Sequence, residues 1–355
     1  MRGARPAQAP RAERPLQRGL QPDPVTQRRG RRWSAADAYL RPALKRPNLT
    51  LITGATVERV VFEGRRAVGV EHDGGAQVRA RREVILSAGA IGSPYLLMRS
   101  GVGDADELRQ SSVPVIHELP GVGRNLQDHL ASAVYMSCPR PITLTKQAET
   151  IGNLLRYLVL GKGMLTTNVG EAVAFIRTAE QEPAPDIELV FAPGFFFEHG
   201  LTAPTEHGLT IGAVLLQPES RGRIGLHGRD VVIDPGYLTA EADLRRLVAG
   251  LRMARRLFAT TALGPYATAP MAPYQGQESE DELAQWVRER AETLYHPVGT
   301  CRMGLDEESV VDPELRVRGL EGLRVADVSI MPTVNRGHTH APAVMIGEKA
   351  ASMLV

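Results

Sequence analysis

Two histidine-bearing segments near the C-terminus carry the side chains best suited to chemistry. One reads Tyr295-His296-Pro297-Val298-Gly299-Thr300, and the other reads Gly337-His338-Thr339-His340-Ala341-Pro342. An imidazole titrates at about pH 6.5, so it can accept a proton near neutrality without a metal. A site of this kind needs an acceptor and a partner that binds the same oxygen. His296 and His340 are the candidates for these roles. Nine histidines in 355 residues is an ordinary number, and most histidines are surface or satisfied core groups. The weight of the assignment therefore falls on the elements that would bring the two segments together.

The bulk properties restrict the alternatives. The chain is 43% apolar and 23% charged, with a formal net charge of +2, which is an ordinary globular composition. A length of 355 residues suggests about two domains. The charge argues for neither a nucleic-acid nor a membrane partner. Two cysteines, Cys138 and Cys301, make no disulfide framework, and no Cys/His spacing suggests a metal site. No apolar run is long enough for a transmembrane helix, and no secretory leader is apparent. Residues 1–32 are rich in Arg and Pro and lack apolar periodicity, so they are expected to be disordered.

From Trp33 the pattern becomes that of a folded chain. Ser34 and Asp37 form a capping-box pattern before a short helix. Leu49–Thr53 reads as a strand. Thr56–Phe62, Ala67–Glu71 and Ala76–Ala80 read as an antiparallel meander, punctuated by Glu63-Gly64 and Asp73-Gly74. Glu83–Ser87 is an apolar run expected to be a buried strand feeding a loop and a helix over about Ser93–Arg99. Val113–Glu118 reads as a further strand. Past Asn125 the composition shifts. An amphipathic helix is expected over 150–162, and strands over Glu171–Ile176, Asp186–Ala192 and Leu209–Leu216. Pro193–Pro204 is an irregular, Phe-rich loop. Helices follow over Thr239–Ala259 and Glu278–Arg290, then a buried strand at Leu323–Asp327. Pro342 suits the first turn of a last helix, Ala343–Leu354.

The most specific stretch runs Gly89-Ala90-Ile91-Gly92-Ser93-Pro94-Tyr95-Leu96-Leu97-Met98-Arg99-Ser100-Gly101-Val102-Gly103. A buried strand turning into a helix N-terminus exposes backbone N–H groups that can hold an anion or an electron-rich edge. By physics alone a plain strand–helix turn is the favoured account. The stretch resembles the second signature of the glucose–methanol–choline (GMC) flavoprotein oxidoreductases at every specified position. Leu119-Pro-Gly-Val-Gly-Arg-Asn-Leu-Gln-Asp-His129, Ser220-Arg-Gly-Arg-Ile224, His296-Pro-Val-Gly-Thr-Cys-Arg-Met-Gly304 and Leu323-Arg-Val-Ala-Asp327 resemble the same family. The resemblance extends from about Gln27 to the end, and is closest to the choline-dehydrogenase-like branch.

The resemblance implies FAD as cofactor and oxidation of a small-molecule alcohol, CH–OH, to an aldehyde or ketone. Hydride passes to flavin N5, and a histidine takes the hydroxyl proton. It places His296 as the base and His340 as the second member of the pair, with His338 a weaker candidate. Choline-type members usually carry Asn at the second position, which argues against choline itself. Val57, Asp327, Val328 and Ala341 align with cofactor-contacting positions. The last helix would point its positive end at the flavin pyrimidine. Asn125 reads equally as a loop-bridging group or a turn residue. Glu171 could face a cationic substrate, though an exposed carboxylate is the simpler account. Cys301 reads as a packed thiol.

A flavoprotein of this type should open with a strand, Gly-x-Gly-x-x-Gly and a helix. Gly101-Val-Gly103 and Gly121-Val-Gly123 each lack the third glycine. The expectation is a chain lacking the dinucleotide-binding part of a complete enzyme. The alternatives are an inactive, FAD-free fragment and an interaction module. The expected fold is mixed α/β. An incomplete FAD-binding domain (33–125 and 297–355) is intertwined with an antiparallel-sheet substrate domain (126–296). The electron acceptor, dioxygen or a quinone or other carrier, leaves no mark in the residues. The protein is expected in the cytoplasm or peripheral to a membrane.

Overall fold

The computed structural model describes residues 19–147, 150–202, 204 and 206–354. By contact it divides into two compact units. The first comprises residues up to Ala38, Ala131–Leu215 and Leu244–Glu292. The second comprises Tyr39–Leu130, Leu216–Asp243 and Thr293–Val355. The fold is mixed α/β with antiparallel sheets, as the sequence pattern suggested.

The first unit is built on one antiparallel sheet. Its strand order is Gly19–Pro22, Ala172–Ile176, Ile187–Ala192, Gly208–Leu215, Leu130–Ser137, Ala269–Pro270. The register puts Ile187 opposite Leu215 and Val134 opposite Ile211, so apolar residues pair across the ladders. Helix Glu241–Phe258 covers this sheet. Leu244, Leu247, Val248, Leu251, Ala254 and Phe258 recur at helical spacing and are all buried. Gly250 brings that helix close: a Cβ there would stand 2.8 Å from the Ala213 Cβ. Helix Glu280–Arg290 starts with a full capping box between Ser279 and Glu282.

The sequence reading of the chain start needs correction. The expected disorder covered 1–32, of which 1–18 lie outside the described residues. Gly19–Pro22 instead adds an edge strand to the sheet, and Gln27–Arg28 pairs with Arg31–Arg32. Backbone pairing along Ala172–Ile176 supplies what the composition does not: an edge strand needs a partner ladder more than it needs apolar periodicity.

The second unit carries the resemblance motifs. Val57–Glu63, Arg66–His72 and Ala76–Arg79 form the expected antiparallel meander. Val84–Leu86 pairs in parallel with Leu323–Val325. Leu49–Thr53 was expected as a strand and joins no ladder. Leu51 and Ile52 are exposed, since an isolated apolar run has no neighbour to pair with here. The helix after Leu86 spans Gly89–Arg99, four residues longer at its start than the sequence suggested. Pro94 lies inside it and has no N–H to bond the Ala90 carbonyl. The buried Thr300 hydroxyl donates to that carbonyl instead, at 2.5 Å. Only the end of the expected Val113–Glu118 strand pairs: His117–Glu118 runs parallel to Val102–Gly103. Leu97, Val102, Leu108, Val310, Val311 and Val325 form the centre of the unit's core. The last helix begins at His340, so Pro342 sits in its first turn. No helix among the described residues is long and apolar enough to cross a membrane.

Candidate active site

Three loops of the second unit meet around His296. The Gln127 N–H donates to the Val298 carbonyl at 3.1 Å, and the Val298 N–H returns a bond to Gln127 at 2.8 Å. Gln127 Oε1 accepts from the Val334 N–H, and its Nε2 donates to the Pro332 carbonyl at 3.0 Å. Asn125, with φ +64, is both the turn residue and the bridge that the sequence left open. Its Nδ2 donates to the Gly299 and Pro332 carbonyls at 3.2 Å each. One short polar segment, Asn125–His129, thus ties together the loops that carry the two histidine motifs.

Asp128 fixes the backbone at His296. It is buried, and it accepts from the His296 N–H at 2.8 Å, from the Tyr237 hydroxyl at 2.5 Å and from the Thr293 hydroxyl. Tyr295 adopts φ +62, a conformation that costs a non-glycine residue about 1–3 kcal/mol. That left-handed turn sits directly before His296 and is held by the Tyr295 N–H donating to Thr293 Oγ1 at 2.9 Å. Backbone strain is thus retained at Tyr295, the residue directly before the one the sequence singled out as the base.

The His296 imidazole lies edge-on to two others. His129 and His338 each have ring centroids 5.1 Å from it. His129 Nδ1 is 2.9 Å from His296 Nδ1, and His129 Nε2 is 3.0 Å from the Asn335 carbonyl. Burial lowers the pKa of both rings, His129 to about 4 and His296 to about 3. Mutual repulsion of the three imidazoles adds to the effect on His296, and Asp128 opposes it. Both rings are therefore neutral near pH 7, the state in which an imidazole carries a lone pair.

The sequence reading paired His296 with His340 and ranked His338 second. The ring that meets His296 is His338. His338 and His340 are both exposed, and His340 is the first residue of the last helix. His129 was quoted only as part of a resemblance motif and was not recognised as a site residue. The available signal was a histidine next to an aspartate in a segment too polar for a plain turn. Among the described residues no group of His, Cys, Asp or Glu is arranged to hold a metal ion.

The other expected residues fall as follows. Asp327 accepts from the Gly89 N–H at 3.0 Å, Ser93 Oγ at 2.5 Å and the Ser329 N–H at 2.8 Å. It orders the strand–helix turn. Val57 opens the first meander strand opposite His72 and is half-buried. Val328 begins a short turn of helix, and Ala341 is exposed in the first turn of the last helix. Cys301 is completely buried and its thiol pKa is raised by that burial, so it is a packed group. Glu171 is exposed and accepts from the Thr167 hydroxyl, directly before strand Ala172–Ile176 of the first unit's sheet.

Comparison with known proteins decides the family. Family models described as GMC oxidoreductase match residues 13–131 and 218–347. An uncharacterised GMC-type oxidoreductase of Mycobacterium tuberculosis is 47% identical over 98% of this chain and 67% of its own length. The chain belongs to the GMC oxidoreductase family. The alcohol dehydrogenase [acceptor] of Pseudomonas putida is 41% identical over 93% of this chain and 62% of its own. Choline dehydrogenases are also among the relatives of this GMC oxidoreductase. A formate oxidase structure from Aspergillus oryzae, studied for its FAD modification, superposes with a TM-score of 0.87 at 25% identity. That match covers 95% of this chain and 65% of the other. The GMC chain thus spans about two thirds of the length of the proteins it matches.

GMC oxidoreductases are FAD-dependent. Two observations in this chain fit such a group. Gly89, at the strand–helix turn, has φ +78 and nothing within 4 Å of where a Cβ would stand, so the backbone there is open to close approach. The buried Asn335 Oδ1, beside the histidine cluster, has no hydrogen-bond partner among the described residues and offers an acceptor.

Proposed function

We propose that this GMC protein serves FAD-dependent oxidation of a small primary or secondary alcohol to the aldehyde or ketone. When bound, FAD supplies the hydride acceptor. His296 is the proton acceptor. Its Nδ1 is engaged with His129, and its Nε2 has no hydrogen-bond partner among the described residues, so it is the nitrogen available to a substrate hydroxyl. Its neutrality near pH 7 keeps that lone pair in place. His338, edge-on to His296, is the second group at the same oxygen and opposes build-up of charge on it. Val57, Asp327, Val328 and Ala341 remain the proposed cofactor contacts, with Gly89 and Asn335 added to them.

The observation that carries the reading is the His129–His296–His338 cluster, assembled from three separate segments of the chain. The alcohol dehydrogenase among the relatives supports the substrate class. The test is turnover of a panel of primary and secondary alcohols by FAD-loaded enzyme, read as aldehyde or ketone formed. Dioxygen and a quinone analogue are supplied in separate reactions to identify the acceptor. Product formation that is lost in His296→Ala with flavin absorbance retained supports the proposal. Unchanged turnover in that variant overturns the role of His296.

A further inference from the structure

We propose that His129 is a positioning residue that sets the tautomer of His296, holding its proton on Nδ1 so that Nε2 is left as the lone pair. The consequence for catalysis rests on His296 being the proton acceptor; the tautomer itself does not.

The argument follows the hydrogen-bond inventory. A carbonyl oxygen can only accept, so the Asn335 carbonyl at 3.0 Å requires the proton of His129 to be on Nε2. A neutral imidazole has one N–H, so His129 Nδ1 is then a lone pair. The nitrogen facing it at 2.9 Å is His296 Nδ1, which must donate. One proton remains to be placed on His296, and this contact places it. His296 Nε2 is left as an acceptor. The alternative, a doubly protonated His129, would reverse the bond, and complete burial of that side chain opposes it.

Among the described residues, the contact with His129 is the hydrogen bond that reaches the His296 ring. Asp128, the carboxylate nearest in sequence to His129, contacts the His296 backbone and not its ring. Its oxygens already receive three donors, from Tyr237, Thr293 and His296 N–H. The usual carboxylate–imidazole arrangement is thus replaced by an imidazole–imidazole pair. A neutral partner fixes orientation without raising the basicity of His296, which suits a base that must stay unprotonated before substrate arrives. The Leu216 carbonyl also faces the His129 ring. If that oxygen held the His129 proton through Nδ1, the chain of donors would run the other way and His296 would be protonated on Nε2. The Asn335 oxygen is the one in hydrogen-bonding position.

The test is two-bond proton–nitrogen correlation spectroscopy on the chain labelled with nitrogen-15 histidine, near neutral pH. His129→Gln and His296→Gln assign the signals by their loss. The expected spectrum shows His129 protonated on Nε2 and His296 protonated on Nδ1. His296 protonated on Nε2 in the unmodified chain overturns the proposal without recourse to any variant. In His129→Leu, which removes the acceptor, the His296 proton should move largely to Nε2. In His129→Gln, whose Oε1 can accept, it should stay on Nδ1. A His296 tautomer that is the same in both variants also overturns it. In FAD-loaded enzyme, His129→Leu should lower kcat/KM by up to about 10⁴-fold, the cost of a wrong catalytic imidazole tautomer, and His129→Gln should recover most of that loss. If His296→Ala leaves turnover intact while the spectra are as expected, the proposed catalytic role fails and the tautomer assignment stands.

Discussion

His129 Nδ1 and His296 Nδ1 lie 2.9 Å apart although 167 residues separate them. Two ring nitrogens at this distance cannot both carry a proton or both present a lone pair. The contact therefore polarises the pair and aims one free nitrogen of His296 away from it.

The identity of the second histidine separates two readings that differ by two residues. In FAD-loaded enzyme, His296→Ala should lower kcat about 10²–10⁴-fold, the range of a lost general base. His338→Ala should lower it by roughly 10²-fold, as for a lost oxyanion-type donor. His340→Ala should change it less than about threefold, since the ring contact with His296 is made by His338 and a substitution away from such a contact has a small effect. Steady-state rates normalised to flavin absorbance check this. A larger loss at His340 than at His338 would restore the pairing expected from sequence.

Stability should fall on acidification through the imidazole range. His129 and His296 bind protons less well folded, at about 4 and about 3, than unfolded, at about 6.5. The unfolded state then takes up more protons as pH drops, so their contribution is present above about pH 6.5 and is lost progressively below it. Tm should decrease between about pH 7.5 and 5, and the slope should be shallower in His129→Gln. A variant with an unchanged slope would show that His129 is not buried as a neutral group.

Gly123 is a stringent position because two constraints coincide there. It has φ +79, and a Cβ would stand 2.1 Å from the Ile224 carbonyl oxygen. Gly64 has φ +61 with nothing within 4 Å of a Cβ. Gly64→Ala should cost only the backbone strain, about 1–2 kcal/mol. Gly123→Ala should cost several times more or prevent folding. Urea midpoints of the two variants make the comparison.

Thr300 stands in for the missing N–H of Pro94. Thr300→Val keeps the shape and leaves the buried Ala90 carbonyl without its donor. The loss should be about 1–3 kcal/mol, the cost of an unsatisfied buried polar group. A loss within experimental error would mean that another donor reaches that carbonyl. In the first unit, Leu251→Ala on the buried face of helix Glu241–Phe258 should cost about 2–5 kcal/mol by opening a cavity. Chemical denaturation followed by circular dichroism checks both.

Much of the local structure was legible in the residues because it depends on near neighbours. The meander from Val57 to Arg79 follows from alternation and two glycine turns. The capping box at Ser279 follows from residue spacing, and helix Glu241–Phe258 from its apolar period. The GMC resemblance and the choice of His296 came from the same short-range patterns. The errors came where a long-range partner decides. Gly19–Pro22 is a strand because the edge of a sheet is available to it, and Leu49–Thr53 is not because none is. His338 and His340 differ little in type or neighbourhood. Which of them meets His296 depends on a loop folded by the Asn335 amide, which donates to the Gly337 and His338 carbonyls. The sequence by itself determined the family, because its motifs are carried by contiguous residues. Only the tertiary structure decided which rings meet His296. Three imidazoles on three loops acquire a common hydrogen-bond and stacking geometry only when the backbone between them has folded.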